Sequence, residues 1–344
     1  MNRIISHETL KELVIKKLYE VNVCQEEADI VADVLVHANL RGVDSHGVMK
    51  TEHYVKRIQG GGLNINSHPK IEQTSDTTAI YDGDNGFGHV IAKKAMDLAI
   101  QMAKNHGIGV AGVKRSSHCG ALSYFIQQAI DEKMIGVAMT HTETAVIPFG
   151  SAQPYFGTNP IAFGFPTKLE KPIIFDFATS QVAFGKVLNA IEYGEQIPSD
   201  WGIDEDGNQT TDPSKVAYLS PFGGAKGYGL GLVVEVFAGL LTGSAFGPHI
   251  TKMYVDYDKA LEIGHFFMVI DPAKFTEAEG FLENLDRMIR EIHSLKPIKG
   301  FTKVLVPGEP ETIQEELRRV KGIPLPQSVW EYLNSSEVAL KENR

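Results

Sequence analysis

One run of sequence, residues 108–129, constrains the fold most, because its hydrophobic spacing changes around a histidine. The segment IGVAGV at 108–113 is a short apolar run typical of a buried strand. After it, four apolar residues recur at helical spacing: Ala121, Leu122, Phe125 and Ala129. The run therefore predicts a strand followed directly by a helix, with His118 at the junction.

His118 is the first candidate for chemistry. The N-terminus of a helix carries partial positive charge, which disfavours an imidazolium ion and predicts a neutral ring near pH 7. A neutral imidazole can take a proton from an alcohol. The chain contains 12 histidines, so a histidine that only satisfies a loop remains an open alternative at this point.

Composition narrows the class of protein. The chain has 344 residues, 43% hydrophobic and 22% charged, as expected of a soluble globular protein with two or three lobes. A net charge of -10 without a long Lys/Arg run argues against nucleic acid or a membrane surface as partner. Two cysteines and an N-terminus without a signal-peptide core predict a cytoplasmic protein.

Hydrophobic spacing predicts helices near both ends of the chain and mixed strands between them, an α/β or α+β arrangement. The predicted strands are residues 80–82, 108–113, 134–140, 172–177 and 265–272. The predicted helices are residues 10–21, 28–38, 44–60, 90–105, 121–129, 227–247 and 275–295, followed by a charged tail. Residues 227–247 approach membrane-spanning length, but Glu235 near their middle favours a buried helix.

The third predicted helix carries an unusual polar stripe. Asp44-Ser45 is predicted to cap it and the glycines at 60–62 to end it. At 100° per residue, four polar side chains fall within about 80° of one another: His46, Lys50, Tyr54 and Arg57. Surface stripes usually mix acids with bases, and this one holds no acid. It suits a ligand with a carboxylate; a solvated helix face is the alternative.

Two glycine-rich segments invite comparison with nucleotide-binding motifs. Residues 107–112 match G-x-G-x-x-G, but a helix precedes them and they form a strand, whereas a Rossmann fingerprint runs strand, loop, helix. Residues 224–229 open the long apolar helix, where backbone N–H groups and Lys226 could hold phosphate, with close packing as the alternative. His141-Thr142-Glu143 has no third ligand nearby, so no metal is expected.

Five motifs occur together in one order along the chain. They are residues 41–47 (RGVDSHG), 117–120 (SHCG), 156–163 (FGTNPIAF), 176–180 (DFATS) and 226–230 (KGYGL). With them the chain resembles the malate/L-lactate dehydrogenase type 2 family over nearly its whole length. The resemblance implies a nicotinamide-dependent oxidoreductase that prefers NAD, acts on a small carboxylate and forms a homodimer.

The resemblance also implies a mixed α/β fold that is not of the Rossmann type, like that of L-sulfolactate dehydrogenase, with lobes discontinuous in sequence. The helical lobe would comprise residues 9–62 and 293–344. The middle lobe would comprise residues 1–8, 63–125 and 224–292, and the cofactor-binding lobe residues 126–223.

Roles carry over motif by motif. The resemblance makes His118 the general acid/base and assigns substrate contacts to His46, Lys50 and Tyr54. Cofactor contacts fall to five residues: Thr142, Asp176, Phe177, Ala178 and Lys226. The chain departs from the family at one position, since arginine is expected where Lys50 stands. A lysine offers a point charge instead of a planar fork for a carboxylate.

Similarity outside these motifs indicates which substrate of the family to expect. Residues 201–213, 253–254 and 297–308 resemble members that oxidise (S)-ureidoglycolate to oxalurate, a step of purine nitrogen catabolism through allantoin. His118 would remove the hydroxyl proton, and the 141–143 segment could meet the urea end. The alternatives are oxidation or reduction of another 2-hydroxy or 2-oxo acid, such as malate, lactate or sulfolactate, reduction of a cyclic imino acid, and a binding protein without catalysis.

Overall fold

The computed structural model describes residues 3–336, so the predicted lobe segments at 1–2 and 337–344 lie outside the described residues. The helices are α1 (His7–Tyr19), α2 (Gln25–Leu40), α3 (Thr51–Gly60), α4 (Gly88–His106), α5 (Ser123–Asp131), α6 (Phe184–Tyr193), α7 (Ala225–Val234), α8 (Ala278–His293), α9 (Glu309–Lys321) and α10 (Gln327–Asn334). The strands are β1 (Arg3–Ile5), β2 (Lys70–Gln73), β3 (Thr78–Asp82), β4 (Ile108–Ser116), β5 (Ile135–Thr140), β6 (Ile161–Phe165), β7 (Ile173–Phe177), β8 (Gly202–Ile203), β9 (Tyr218–Leu219), β10 (Ile263–Ile270) and β11 (Ile323–Leu325).

A mixed seven-stranded sheet in the order β2-β3-β4-β10-β5-β6-β7 forms the centre of the fold. Only β3 and β4 pair in parallel, and every other neighbour in this sheet is antiparallel. Helices α4 and α5 cover one face, where Ala111, Phe125 and Phe267 are fully buried. Helix α7 covers the other face through Val234. The predicted mixed α/β class is confirmed.

The literal G-x-G-x-x-G match follows a helix and forms a strand, as the sequence predicted, and its glycines serve packing. Gly107 ends α4 with a left-handed backbone (φ 87°), and the next five residues lie in β4. A Cβ on Gly109 would lie 2.0 Å from the backbone oxygen of Ala99 in α4, which no side chain tolerates. The glycines therefore let α4 lie directly on β4.

The registers of the strands bring the family motifs to one edge of the sheet. Asp82 pairs with Lys114 in the parallel strands, and Ser116 lies opposite Ile263 at the start of β10. Farther along the same edge, Thr140 ends β5 and Phe177 ends β7. Because these strand ends are neighbours, the segments at 117–122, 141–146, 156–160, 178–182 and 250–262 leave or enter the sheet together.

The third helix differs from its prediction. Residues 44–46 and 48–50 form two short 3₁₀ turns, and α3 begins at Thr51. Asp44 does not cap the helix, because its carboxylate accepts hydrogen bonds from Arg318 and Asn39 instead. Gly61 ends α3 with a left-handed backbone, as its sequence predicts.

Two further predictions need correction. Residues 227–247 are not one buried helix: α7 ends at Val234, a π-helical turn follows at Glu235–Leu240, and one face is exposed. The predicted charged tail contains α9 and α10, which pack on the N-terminal helices, and β11, which pairs with β1. Among residues 3–336, no helix is long and apolar enough to cross a membrane.

Two strand pairings in the structure cross the predicted lobe boundaries. Strands β5, β6 and β7, assigned to the cofactor-binding lobe, share one sheet with the strands of the middle lobe. Strand β1 was assigned to the middle lobe, but it pairs with β11, which lies in the segment assigned to the helical lobe. The division into three lobes stays a prediction.

Candidate active site

The loop that carries His118 is pinned to the start of α4. The hydroxyl of Ser117 accepts a hydrogen bond from the Gly88 N–H (2.8 Å) and donates one to the carbonyl of Gly86 (3.0 Å). A Cβ on Gly88 would lie 2.1 Å from the Ser117 carbonyl oxygen, so the backbones touch. The position of His118 is therefore fixed by its neighbour in sequence and by the first turn of α4.

A hydrogen bond joins His118 to the helical part of the molecule. The hydroxyl of Tyr54, on α3, lies 2.7 Å from His118 Nδ1, and the Gly120 N–H points to the same nitrogen at 3.3 Å. Tyr54 is 1% exposed. Both contacts hold one edge of the ring, and residues 3–336 offer Nε2 no hydrogen-bond partner.

His118 is neutral for a different reason from the one predicted. Helix α5 begins at Ser123, five residues later, so its N-terminus does not hold the ring. Burial lowers the pKa of His118 well below the ordinary value, and the neighbouring His46, His89 and Lys50 lower it further. The expected neutral imidazole is present, with burial as its main cause.

The predicted polar stripe divides into two groups. His46 stacks on His118 with ring centroids 5.7 Å apart, and its Nδ1 contacts the Ser45 hydroxyl at 3.0 Å. The positive charge of Lys50 lowers the pKa values of both histidines. Its ammonium donates to the Tyr254 hydroxyl. His46 and Tyr54 thus contact His118, and the charge of Lys50 acts on it.

Arg57, the fourth residue of the stripe, is structural. Its guanidinium is 1% exposed and donates to the carbonyl oxygens of Met253 (3.0 Å), Asp256 (3.2 Å) and Lys259. These bonds hold the 253–259 loop against α3. The alternative of a solvated helix face is wrong for α3, since both Tyr54 and Arg57 are buried.

His89 is a site residue that the sequence did not reveal. It lies in the first turn of α4, fully buried, with its ring 4.8 Å from that of Tyr54 and 6.4 Å from that of His118. Neither ring nitrogen has a hydrogen-bond partner within residues 3–336. Burial lowers its pKa to about 3, so a neutral ring lies behind the Tyr54–His118 pair.

The 141–143 segment contributes less to the site than expected. His141 is fully buried, its Nε2 accepts from the Gly264 N–H (2.8 Å), and its Nδ1 lies 3.5 Å from Glu235. It is therefore not free to meet a ligand. Glu143 is half-buried, burial raises its pKa, and its Oε2 has no partner among the described residues. The charges of Arg57 and Lys50 act on this carboxyl group.

The residues assigned to the cofactor lie along the other part of the same edge. Asp176 accepts a hydrogen bond from the Ser123 N–H (2.8 Å) at the start of α5, and burial raises its pKa to about 6. The ring of Phe177 lies 5.9 Å from that of Phe222, immediately before α7. Thr179 accepts the Phe222 N–H (3.0 Å), so residues 176–179 lie beside the first turn of α7.

Lys226 and Thr142 complete this part of the edge. Lys226 is exposed in the first turn of α7 and has no ion-pair partner within the described chain. Thr142 packs against Gly157, where a Cβ would lie 2.2 Å from its hydroxyl oxygen. The buried Glu235 binds Asn159 (2.7 Å) and the Gly247 N–H (2.6 Å), which holds the 157–160 segment against α7. Across residues 3–336, no group of three or more His, Cys, Asp or Glu could hold a metal ion.

Comparisons with known proteins show the family of this chain. A family model for malate/L-lactate dehydrogenase matches residues 5–334. The chain is 40% identical over 331 residues to the ureidoglycolate dehydrogenase (NAD(+)) of Escherichia coli strain K12, covering 96% of this chain and 95% of that protein. It is 39% identical over 332 residues to the malate/(S)-sulfolactate dehydrogenase of Methanothermus fervidus, covering 96% of each.

A solved structure shows the same fold. The sulfolactate dehydrogenase of Methanocaldococcus jannaschii matches with a TM-score of 0.91 at 36% sequence identity. The match covers 96% of this chain and 95% of that one. The expected fold of the L-sulfolactate dehydrogenase type is therefore confirmed.

The buried, neutral His89 should make the free energy of unfolding depend on pH. The pKa of His89 is about 3 in the fold and 6.5 when unperturbed, so between these values only the unfolded chain binds the proton. The contribution of neutral His89 to the free energy of unfolding is therefore complete above pH 6.5, and it is lost as the pH falls towards 3. From pH 7 to pH 5 we expect His89 to account for a loss of about 1 to 2 kcal/mol in the free energy of unfolding.

Urea unfolding of the wild type and His89→Leu at pH 7, 6 and 5, at one protein concentration, measures this contribution. The variant should lose less stability than the wild type as the pH falls. His106→Gln, at an exposed histidine of the same helix, should follow the wild type. Equal pH dependence in His89→Leu and the wild type would show that His89 is not held neutral by the fold.

Proposed function

Since the chain belongs to the malate/L-lactate dehydrogenase family and is an oxidoreductase acting on CH–OH donors, we propose that it oxidises (S)-ureidoglycolate to oxalurate with NAD as the acceptor. The single observation that carries the catalytic proposal is His118, a neutral imidazole bonded to Tyr54 through Nδ1 with Nε2 unpartnered. The 40% identity to the ureidoglycolate dehydrogenase of Escherichia coli supports the substrate.

His118 has the geometry of a general base. Action as a base uses the tautomer with the ring proton on Nδ1, donated to the Tyr54 oxygen. In that tautomer the Gly120 N–H no longer donates to Nδ1, and Nε2 keeps the lone pair that takes the hydroxyl proton of the substrate. The hydrogen on the carbinol carbon leaves with its electron pair as hydride, and the carbon–oxygen bond becomes a carbonyl. In reverse, the protonated ring returns the proton to that oxygen. Tyr54 holds the ring for both directions.

The positive charge of Lys50 places the substrate carboxylate. Its charge lowers the pKa values of His118 and His46. A carboxylate bound there sets the adjacent carbinol carbon beside His118. Arg57, the other cation of the predicted stripe, is occupied by backbone carbonyls and takes no part.

The first turn of α7 fits the cofactor's pyrophosphate. Gly224 precedes the helix, no side chain caps it, and Lys226 extends from its second position. Free N–H groups and a lysine at a helix N-terminus suit phosphate oxygens. When bound, NAD supplies the hydride acceptor. Thr142 and the 176–178 segment would border it. We propose NAD over NADP because the 40% identical relative is named for NAD; a higher kcat/KM with NADP would contradict this.

Glu143 supports a substrate with a urea group. Its Oε2 accepts no hydrogen bond within the described chain, although the charges of Arg57 and Lys50 act on the carboxyl group. The N–H groups of a urea are the donors that such an oxygen lacks. Malate and lactate carry no N–H group, so neither can satisfy it. Malate or sulfolactate remains the second candidate, on the 39% identity to the Methanothermus fervidus enzyme.

We also propose that the protein is a homodimer joined through α7. Five apolar side chains on α7 and the turn after it are 36% to 60% exposed: Leu232, Val233, Val236, Leu240 and Leu241. This face carries no charged side chain, because Glu235 turns inwards. An uncharged apolar face can pack on its own copy about a two-fold axis without unpaired charge.

Replacing the proposed base should remove catalysis. His118→Ala should lower kcat by about 100-fold or more, since no other group takes the hydroxyl proton. Cofactor affinity should change little, because the cofactor residues lie along the other part of the edge. Steady-state kinetics with (S)-ureidoglycolate and NAD, alongside His106→Ala, checks this. A kcat within about threefold of the wild type would make another residue the base.

Substrate preference tests the urea contact. In the wild type, kcat/KM for (S)-ureidoglycolate should exceed that for malate or lactate by at least about 100-fold. Glu143→Gln exchanges an acceptor-only oxygen for an amide and should lower this ratio at least about tenfold. Glu12→Gln, on the exposed face of α1, is the control. Equal or better turnover of malate or lactate by the wild type would reject ureidoglycolate as the substrate.

The dimer is tested by mass in solution. Sedimentation equilibrium should give a species of twice the 37.8 kDa chain mass. Leu240→Asp should shift it to the chain mass, because it places a charge in the apolar face. Val320→Asp, at an 86% exposed position on α9, should leave the dimer intact. A monomeric wild type, or a Leu240→Asp variant that stays dimeric, would contradict the proposed surface.

A further inference from the structure

Lys50 is already paired with a side chain that no motif of the sequence assigns to the site. Its ammonium donates to the hydroxyl of Tyr254, 2.5 Å away, and lies 4.8 Å from the centroid of the same ring. Tyr254 lies in the 250–262 segment that enters β10. Tyr254 is 51% exposed.

The hydroxyl of Tyr254 keeps a free donor. A phenol has one O–H donor and accepts through its oxygen. The oxygen here accepts from Lys50, and residues 3–336 offer no acceptor for the hydrogen. The O–H of Tyr254 and the remaining N–H groups of Lys50 are therefore two sets of donors side by side.

Two neighbouring donors compensate for what a lysine lacks. A lysine is a compact point charge, whereas a carboxylate is bound most tightly and in a fixed plane by two parallel hydrogen bonds. Lys50 Nζ and the Tyr254 oxygen are in hydrogen-bond contact, so both can reach the two oxygens of one carboxylate. One oxygen can thus face each donor.

The ring of Tyr254 is held in place from behind. His53, which is 6% exposed, packs against it with centroids 4.8 Å apart. The backbone on either side of Tyr254 is held by Arg57, which binds the carbonyls of Met253 and Asp256. The hydroxyl is therefore positioned before any ligand arrives, which lowers the ordering cost of binding.

We propose that Tyr254 binds the substrate carboxylate together with Lys50, each group donating to one carboxylate oxygen. The pair orients the carboxylate plane and so sets which face of the carbinol carbon meets the hydride acceptor. This inference rests on the proposed function only in requiring a carboxylate beside the reacting carbon, a feature that ureidoglycolate, malate and sulfolactate share.

Tyr254→Phe removes the donor and keeps the ring. We expect KM to rise about tenfold, the effect of one hydrogen bond to a charged group, with kcat within about twofold of the wild type. Tyr257→Phe is the matched control, because among residues 3–336 that hydroxyl contacts only His53, at 3.4 Å. It should leave both constants unchanged. An unchanged KM in Tyr254→Phe, or an equal change in Tyr257→Phe, would overturn the proposal.

The same substitution in a Lys50→Arg variant distinguishes a lost contact with the carboxylate from a general disturbance of the site. Lys50→Arg supplies a planar fork of its own, so adding Tyr254→Phe to it should raise KM less than about threefold. A tenfold rise in both backgrounds would show that Tyr254 acts independently of Lys50. Both (S)-ureidoglycolate and malate serve as probes. If only malate is turned over, the proposed substrate fails while the carboxylate contact is still measured.

Discussion

The hydrogen bond between Tyr54 and His118 is the contact on which the site depends. It joins α3 of the N-terminal helices to the loop after β4, two parts of the chain that are held in place independently. Ser117 fastens the loop to the first turn of α4, and Arg57 fastens α3 to the 253–259 loop. Because these elements bury the ring of His118, its pKa is low and the imidazole is neutral.

The edge of the seven-stranded sheet explains why distant motifs act together. Antiparallel pairing alternates strand directions, so the segments after β4, β5 and β7 meet those before β6 and β10. One part of the edge collects His118, Lys50 and Tyr254, which suit proton transfer and a carboxylate. The other part collects the 176–179 segment and the start of α7, which suit a phosphate-bearing cofactor. Substrate and cofactor would thus meet above the strand ends.

Local periodicity was enough to predict the parts of this site that depend on neighbours in sequence. The change from strand to helix spacing around His118 placed it at the end of β4, and an acid-free polar stripe pointed to Lys50 and Tyr54. The stripe also included Arg57, because spacing cannot distinguish a ligand from backbone carbonyls 200 residues away. His89 gave no signal, and the resemblance at residues 253–254 assigned Tyr254 no role, since the place of each in the site depends on tertiary packing. The helix α9 was mistaken for a tail because its high charge masks its periodicity.

A crystal structure of the protein with NADH and oxalurate would test this account most directly. It predicts the keto oxygen of oxalurate within hydrogen-bonding distance of His118 Nε2, with the Tyr54 hydroxyl still bonded to Nδ1. The carboxylate should face Lys50, and the pyrophosphate should lie at the first turn of α7. A keto oxygen directed away from His118, or a carboxylate bound elsewhere than at Lys50, would contradict the proposed arrangement.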